Sequence, residues 1–331
     1  MMKESYKLAR NNVALLNLQT DGRFRVSGPD AEVALNQLIS VDLEVLSFWK
    51  GVIGLFLTET ANIMAIATIF KCEDGFYIFT EADSADDLCQ YLAAEIPTRG
   101  AVFEDLRNSH EWLSVLGPRA QDVMSKSAGE DILGLPYLSF EENERLGVTL
   151  FRMGFCGEFE YRLLIPVDRG EAVATLLLEG GAEFGIGQVS PEIMHVLMLE
   201  MRSLTKADLP ENSDPIQAGL HWMISFRKES LRGGEVIHKM KLAAARQSLM
   251  LRIDQSGCVT KGDRLQIEGQ DVGFLSCVVY SPTLETDIGL AFIDQEFAQN
   301  GVSFDAKGRN CNTKAMGASA PLFVTKTVQS A

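Results

Sequence analysis

Residues 153–166 read MGFCGEFEYRLLIP and alternate between polar and apolar side chains in their second half. Successive side chains of an extended chain point to opposite faces. Glu158, Glu160 and Arg162 are therefore predicted to share one face of a strand, with Phe159 and Tyr161 on the other. Such a strand has either a solvated polar face or a polar face that lines a cavity.

A plan of strand, Gly-Pro turn and helix occurs twice around this segment. Residues 23–27 precede Gly28-Pro29, and residues 112–116 precede Gly117-Pro118. Proline suits the first turn of a helix, where its missing N–H costs nothing. The strands and amphipathic helices predict an α+β fold with two related lobes.

The hydrophobic pattern of the sequence changes from about residue 245. Short apolar runs separated by Gly-rich turns replace the helical periods, which predicts a small C-terminal β-barrel. We place the domain boundary at residue 240, with a bilobed region at 1–240 and the barrel at 241–331. The predicted barrel strands are 249–253, 264–267, 272–280, 288–292 and 322–324.

Charge and composition restrict the partners. The chain has 331 residues, 46% of them hydrophobic, and this length and apolar content suit two or three globular domains. Its formal net charge is -15. Nucleic-acid binding is not expected, because such proteins usually carry a basic surface. The acidic chain is also expected to be repelled by anionic membranes, and its partner is expected to be a small molecule.

The amino terminus and the cysteines indicate the compartment. No apolar run approaches about 18 residues, and residues 1–7 lack the apolar core of a signal peptide, so a cytoplasmic protein is predicted. The six cysteines show no C-x-x-C spacing and are predicted to be free thiols. No metal ligand is predicted, and His195, in the apolar segment 191–201, is interpreted as a core histidine.

Eight short motifs occur in the order found in one known family. They are FRVSGPDA (24–31), VLGPRA (115–120), GFCGE (154–158), LMLE (197–200), DPIQAGLHW (214–222), KESLRGG (228–234), SPTL (281–284) and IGLA (288–291). In this order they resemble the T-protein of the glycine cleavage system and its folate-dependent relatives. The resemblance covers about residues 10–325.

The resemblance implies three domains in a cloverleaf around a central funnel that holds the pterin end of tetrahydrofolate. It also implies one-carbon transfer to or from this cofactor. A site of this kind needs an apolar slot for a flat ring and a carboxylate that accepts the pterin N–H groups. The candidate cofactor-binding residues are Phe155, Glu158, Glu160, Arg162, Glu200 and Trp222.

The segment that supplies the catalytic aspartate in the family departs from the pattern. Its Gly-Gly-Ile-x-Asp-Asp falls here on ANIMAI, residues 61–66, so both acids are replaced. Aminomethyl transfer would then lack a group to move an amine proton. Glu59 and Asn62 are the nearest polar residues, and with His221, beside Trp222, they form the candidate catalytic set.

A second departure concerns the pterin-binding glutamate, whose place is taken by Arg162 when the strand is read without gaps. A guanidinium only donates hydrogen bonds and cannot accept the pterin N–H pair. Three interpretations stay open. Glu160 and Arg162 form a structural pair, Arg162 contacts an anionic ligand, or a shorter turn shifts Glu160 into the acceptor position.

Three functional hypotheses follow. The first is a divergent transferase that moves a methyl or methylene group between tetrahydrofolate and a small substrate. The second is an enzyme of a specialised biosynthetic pathway that keeps the fold, no longer uses folate and binds an acidic small molecule. The third is a non-catalytic folate-binding or assembly protein, since fold does not fix function.

Overall fold

A computed structural model of the chain describes residues 2–243, 245–309 and 311–330. The chain divides into two compact units, each considered by itself below. Unit 1 comprises Met1–Phe56, Met64–Met194 and Val324–Ala331, and unit 2 comprises Leu57–Ile63 and His195–Phe323.

The secondary structure is mixed, as predicted. The helices are α1 (Met2–Asn11), α2 (Ala31–Asn36), α3 (Ala85–Glu95), α4 (Ala120–Ala128), α5 (Gly170–Gly180), α6 (Ile193–Glu200), α7 (Gly234–Ala243) and α8 (Lys326–Ser330). The strands are β1 (Val13–Asn17), β2 (Gly22–Ser27), β3 (Gly51–Leu57), β4 (Ile63–Cys72), β5 (Gly75–Thr80), β6 (Val102–Asp105), β7 (His110–Leu116), β8 (Ser139–Asn143), β9 (Val148–Arg152), β10 (Glu160–Pro166), β11 (Ile186–Val189), β12 (Arg246–Ile253), β13 (Arg264–Ile267), β14 (Gln270–Ser281), β15 (Thr286–Asp294), β16 (Ser303–Lys307) and β17 (Asn312–Ala318).

Unit 1 is built on two sheets. One has the order β3-β4-β5-β2-β6, and the other has the order β11-β1-β7-β10-β9-β8. Strands β1 and β11 pair in parallel, whereas the β1–β7, β7–β10, β9–β10, β8–β9, β2–β5, β2–β6 and β4–β5 pairs are antiparallel. The strand–Gly-Pro–helix plan is present in both sheets, as β2 leading to α2 and β7 leading to α4.

The second glycine of this plan, Gly117, has a steric role. Gly117 has a φ of +142°, and a Cβ at that position would lie 2.3 Å from the carbonyl oxygen of Asn12. A side chain cannot be accommodated at such a distance, so only glycine lets the turn after β7 approach the backbone next to β1.

Strand β10 has the alternation that its sequence predicts. Tyr161, Leu163 and Ile165 belong to a buried cluster that includes apolar residues of α4 and α5. The opposite face carries Glu160 and Arg162, which are 4% and 2% exposed. The polar face is therefore buried, and the solvated alternative is wrong.

Aromatic rings fill the space between the two sheets of unit 1. Trp112 of β7 stacks on Phe79 of β5, with ring centroids 4.3 Å apart and planes inclined by 7°. Phe151 of β9 meets Phe70 of β4 edge to face at 4.9 Å. Each buried phenylalanine side chain stabilises the fold by up to about 3 kcal/mol, so this layer holds the sheets face to face.

Unit 2 contains a closed barrel with the strand order β12-β15-β14-β13-β16-β17. The C-terminal barrel was predicted, and four of its five predicted strands fall within β12 to β15. The fifth, at residues 322–324, was wrong, because those residues form no strand. The barrel is completed by β16 and β17, whose inward-facing Ala306, Ala315 and Gly317 lack the bulky apolar pattern of a strand.

Two further sequence predictions concern unit 2. The predicted boundary at residue 240 lies inside α7, shortly before β12, and stays a prediction. The prediction of free thiols was wrong for Cys258 and Cys311, which form a disulfide across 53 positions of sequence. Their spacing carries no signal, because only the folded barrel brings them together. Cys72, Cys89, Cys156 and Cys277 are free thiols.

None of the helices in the described part of the chain has the length and apolar character needed to cross a membrane.

The aromatic layer leads to a first prediction. Phe151 is fully buried, whereas Phe48 is 54% exposed and lies beneath the ammonium group of Lys71. Phe151→Ala leaves a cavity and is expected to lower the free energy of unfolding by about 3–5 kcal/mol. Phe48→Ala is expected to cost less than about 1 kcal/mol. Urea unfolding of both variants measures the difference, and equal losses would contradict the packing described.

Candidate functional site

Four charged side chains meet between the sheets of unit 1. Glu160 and Arg162 come from β10, Asp21 directly precedes β2, and Glu81 directly follows β5. Since β2 and β5 pair Gly22 with Thr80, Asp21 and Glu81 leave that sheet side by side. We call these four residues the Arg162 cluster.

The guanidinium of Arg162 is the centre of the cluster. Its Nε donates to Oε1 of Glu160 at 2.7 Å. Its Nη1 and Nη2 each lie 3.4 Å from Oε1 of Glu81. Oδ2 of Asp21 lies 3.6 Å from Nη1. One cation thus faces three carboxyl groups, and the structural-pair interpretation of Glu160 and Arg162 describes their geometry.

Two oxygens of the cluster have no hydrogen bond. Oε1 of Glu160 also accepts from the Ser114 hydroxyl at 2.9 Å. Oε2 of Glu160 and Oδ2 of Asp21 are buried without a hydrogen-bond donor among the described residues. Buried acceptors left in this way are costly, so a hydrogen-bond donor that reached either oxygen would lower the free energy of the cluster.

The excess of acids perturbs the titration of the cluster. Burial, followed by the charge of Glu81, raises the pKa of Asp21 well above its ordinary value of 3.8. Burial also raises the pKa of Glu81, although Arg162 opposes the shift. For Arg162 burial lowers the pKa, but the three carboxylates outweigh it and the net shift is upward. The guanidinium stays charged, and the raised pKa values of Asp21 and Glu81 favour the neutral form of these two acids.

Aromatic groups border the cluster. The Phe155 ring is half-buried, and its centroid lies 5.6 Å from the guanidinium carbon of Arg162. The Tyr137 hydroxyl donates to the carbonyl oxygen of Gly154 at 2.9 Å, although 53% of the residue is exposed. The side chain of Glu81 is 21% exposed, so this residue is the part of the cluster that reaches solvent.

Gly154 is part of the same site. A Cβ at Gly154 would lie 2.5 Å from Cβ and 2.8 Å from Oε2 of Glu160. Because Gly154 has no side chain, the Glu160 carboxylate can lie beside Arg162.

Glu158, the third acid of the predicted row, lies just before β10 and is buried. Its Oε2 accepts from the backbone N–H of Thr327 at 2.9 Å and from the Thr327 hydroxyl at 2.6 Å. Its Oε1 lies 3.5 Å from Nη1 of Arg10. The carboxylate is thus engaged with the first turn of α8, separately from the Arg162 cluster.

Three further candidate residues belong to unit 2. Glu200 is fully buried at the end of α6 and accepts from the Ser281 hydroxyl at 2.6 Å. His221 begins a short 3-10 turn, His221–Met223, and is exposed. Trp222 in the same turn is 61% exposed.

Glu59 and Asn62 share the turn between β3 and β4. The side chain of Glu59 is 86% exposed, with Oε1 at 3.7 Å from Nη2 of Arg232. The Asn62 amide donates to the Thr60 hydroxyl at 3.2 Å. The structure brings together Glu160, Arg162 and Phe155 in unit 1, and Glu59 with Asn62 in unit 2. The catalytic and cofactor-binding roles of all these residues stay predictions.

Comparison with known proteins agrees with this architecture. The GCVT N-terminal domain model matches residues 1–228, and the glycine cleavage T-protein C-terminal barrel domain model matches residues 246–323. The chain belongs to the glycine cleavage T-protein family.

Its T-protein relatives are distant in sequence. It is 25% identical to an aminomethyltransferase of Listeria monocytogenes serotype 4b (strain F2365), over 97% of this chain and 90% of the relative. An aminomethyltransferase of Caldanaerobacter subterraneus subsp. tengcongensis is 23% identical, over 94% of this chain and 85% of the relative.

The fold of T-proteins is also found among solved structures. The crystal structure of glycine cleavage system aminomethyltransferase T from Bartonella henselae matches with a TM-score of 0.85 and 19% identity. The match covers 98% of this chain and 90% of the other. The family resemblance and the fold class inferred from the sequence motifs are thereby confirmed.

The sequence patterns did not predict Asp21 and Glu81 as site residues, and Gly154 was included only as part of the GFCGE motif. Asp21 is part of an Asp-Gly pair directly before β2, and Glu81 directly follows β5. Each acid follows an apolar segment of the sequence, and this position is a detectable signal. Leu18 precedes Asp21, Phe79 precedes Glu81, and both apolar residues are 2% exposed. The partner of both acids, Arg162, lies 81 positions from Glu81, so no local pattern joins them.

The Arg162 cluster leads to a second prediction. Arg162→Met leaves three buried carboxyl groups without a cation and is expected to lower the free energy of unfolding by about 3–5 kcal/mol. Arg119 pairs with Asp122 on the surface, so Arg119→Met serves as the control and is expected to cost less than about 1 kcal/mol. Urea unfolding compares them, and a mild effect at Arg162 would refute the role of the ion cluster.

The raised pKa of Asp21 leads to a third prediction. Between pH 4 and the folded-state pKa, the native protein binds more protons at Asp21 than the unfolded chain, so its contribution to stability falls as pH rises. Asp21→Asn removes this loss. The free energy of unfolding of Asp21→Asn relative to wild type is expected to increase from acidic toward neutral pH. The same difference for exposed Glu130→Gln should stay flat. A flat Asp21→Asn curve would count against the shift.

Proposed function

We propose that this T-protein family member is a transferase that moves a methyl or methylene group between tetrahydrofolate and a small substrate. Its support begins with the family match, which extends over both the N-terminal and the barrel domains. The relatives that match most of the chain are named aminomethyltransferases.

The observation that carries the proposal is the surplus of carboxyl groups around Arg162. A pterin presents several N–H donors along one edge, and a carboxylate is the acceptor that suits them. Glu160 has an unbonded buried oxygen, and Glu81 is partly exposed, so these two residues would accept from the ring. Phe155 would cover a ring face. The residues present therefore fit the cofactor, whose N5 would carry the one-carbon group.

The same surplus disfavours the acidic-ligand hypothesis. An anion bound at Arg162 would have to share the guanidinium with Glu160, Glu81 and Asp21, whose oxygens already lie 2.7 to 3.6 Å from its nitrogens. Acids that share one cation in a buried site repel a further negative charge. Arg162 is thus better suited to fix the carboxylates than to receive an anion.

The kind of transfer follows from the turn that bears Glu59 and Asn62. Positions 65 and 66, where the family resemblance places the acid pair, are Ala65 and Ile66. Without a carboxylate there, a cationic aminomethyl carbon has no stabilising group. Transfer of a methyl group from sulfur or oxygen depends more on positioning, so we favour it. Glu59 and His221 are exposed and are the proposed groups for moving a proton.

A fourth prediction tests cofactor binding. 5-Formyl-tetrahydrofolate at millimolar concentration is expected to raise the melting temperature of the purified chain. Glu160→Gln is expected to weaken this binding by about tenfold or more, because a charged acceptor is lost. Glu171 is exposed on α5, and Glu171→Gln should bind like the wild type.

The outcomes separate the three hypotheses. No stabilisation at millimolar folate would contradict the proposal, and stabilisation by a dicarboxylate such as succinate instead would favour the acidic-ligand enzyme. Folate binding without transfer would favour the non-catalytic protein. Transfer is measured as 5-methyl-tetrahydrofolate formed from tetrahydrofolate and a panel of S-methyl and O-methyl donors.

A further inference from the structure

Three metal-ligand side chains converge in unit 2, and none of them belongs to the candidate catalytic or cofactor-binding residues. His195 lies on α6, Asp208 in the short turn Lys206–Asp208, and Cys277 on β14. One donor atom from each lies within 4.8 Å of the other two. The sequence interpretation of His195 as a core residue was wrong, because its side chain is 45% exposed.

The distances define one point of convergence. Nε2 of His195 lies 2.7 Å from Oδ1 of Asp208. Sγ of Cys277 lies 3.5 Å from the same Nε2. Ligands at about 2.0–2.3 Å from a tetrahedral ion lie about 3.3–3.8 Å from one another. The contact between His195 and Cys277 is already in this range, and the contact between His195 and Asp208 would have to open by about half an ångström to admit an ion.

The local structure aims each donor at this point. Oδ2 of Asp208 accepts from the backbone N–H of Thr205 at 2.8 Å, and this capping interaction leaves Oδ1 directed toward His195. A register shift in β14 lies between Leu275 and Cys277. Such bulges redirect side chains. Leu275 points into the barrel core, and Cys277 is outside that core cluster.

The arrangement differs from a nucleophilic triad. In a triad the carboxylate holds one imidazole nitrogen and the nucleophile contacts the other. Here Asp208 and Cys277 both approach Nε2 of His195. Three different donors around one point are instead the geometry of chelation.

We propose that His195, Asp208 and Cys277 bind a divalent transition-metal ion of the zinc class. A thiolate and an imidazole are ligands that zinc accepts, whereas magnesium and calcium prefer oxygen ligands only. Three protein ligands leave a fourth position, and the exposure of His195 gives an ion and a water molecule access. The bound ion would join α6, the turn at Asp208 and barrel strand β14.

The fifth prediction tests this site with cobalt(II) as a spectroscopic probe. Chelator-treated full-length protein is titrated with Co²⁺ and then with Zn²⁺. The expected result is one Co²⁺ per chain, a thiolate-to-cobalt charge-transfer band, and loss of that band when Zn²⁺ displaces Co²⁺. Zn²⁺ is also expected to raise the melting temperature.

Variants assign the ligands. Cys277→Ser is expected to abolish the charge-transfer band, and His195→Gln and Asp208→Asn to weaken Co²⁺ binding at least about tenfold. As controls, Cys89→Ser and His221→Gln make the same substitutions outside the three proposed ligands, and both variants should retain the charge-transfer band. If Cys277→Ser does not fold, the wild-type spectrum and the other two variants still decide. A wild type without the band, or a band that survives in Cys277→Ser, overturns the proposal.

Discussion

The constraint on which unit 1 depends is the burial of a single guanidinium. Taking a charge out of water costs several kcal/mol unless partners compensate. Arg162, 2% exposed, is compensated from both sheets, by Glu160 on its own strand and by Asp21 and Glu81 at the ends of β2 and β5. Three acids for one cation overcompensate the charge. Burial in this packing, followed by the charge of Glu81, raises the pKa of Asp21.

This overcompensation connects structure and proposed function. In a pair of one acid and one cation, each group would satisfy the hydrogen-bonding capacity of the other. The additional carboxyl groups around Arg162 instead leave acceptors for a ring with several N–H donors. The T-protein fold supplies the frame, but fold alone does not determine chemistry. The unbonded oxygen of Glu160 and the partial exposure of Glu81 are the features that bear on the ligand.

The sequence was sufficient to predict the strands and helices that depend on local periodicity. The alternation at residues 159–165 gave β10 and its two faces, and Gly117-Pro118 gave the entry to α4. Strands β16 and β17 were missed because alanine and glycine carry little strand signal. Asp21 and Glu81 were missed because their role depends on strand pairing across distant segments. The convergence of His195, Asp208 and Cys277 likewise requires the bulge in β14.

The link between the sheets through Arg162 also bears on dynamics. Separating the sheets would expose the guanidinium and its three acids at once, together with the rings of Phe79 and Trp112. Partial opening of only one sheet therefore gains little conformational entropy for a large electrostatic and hydrophobic loss. Strands β5, β7 and β10 are expected to behave as a single foldon, with slow amide exchange concentrated where the cluster and the aromatic layer meet.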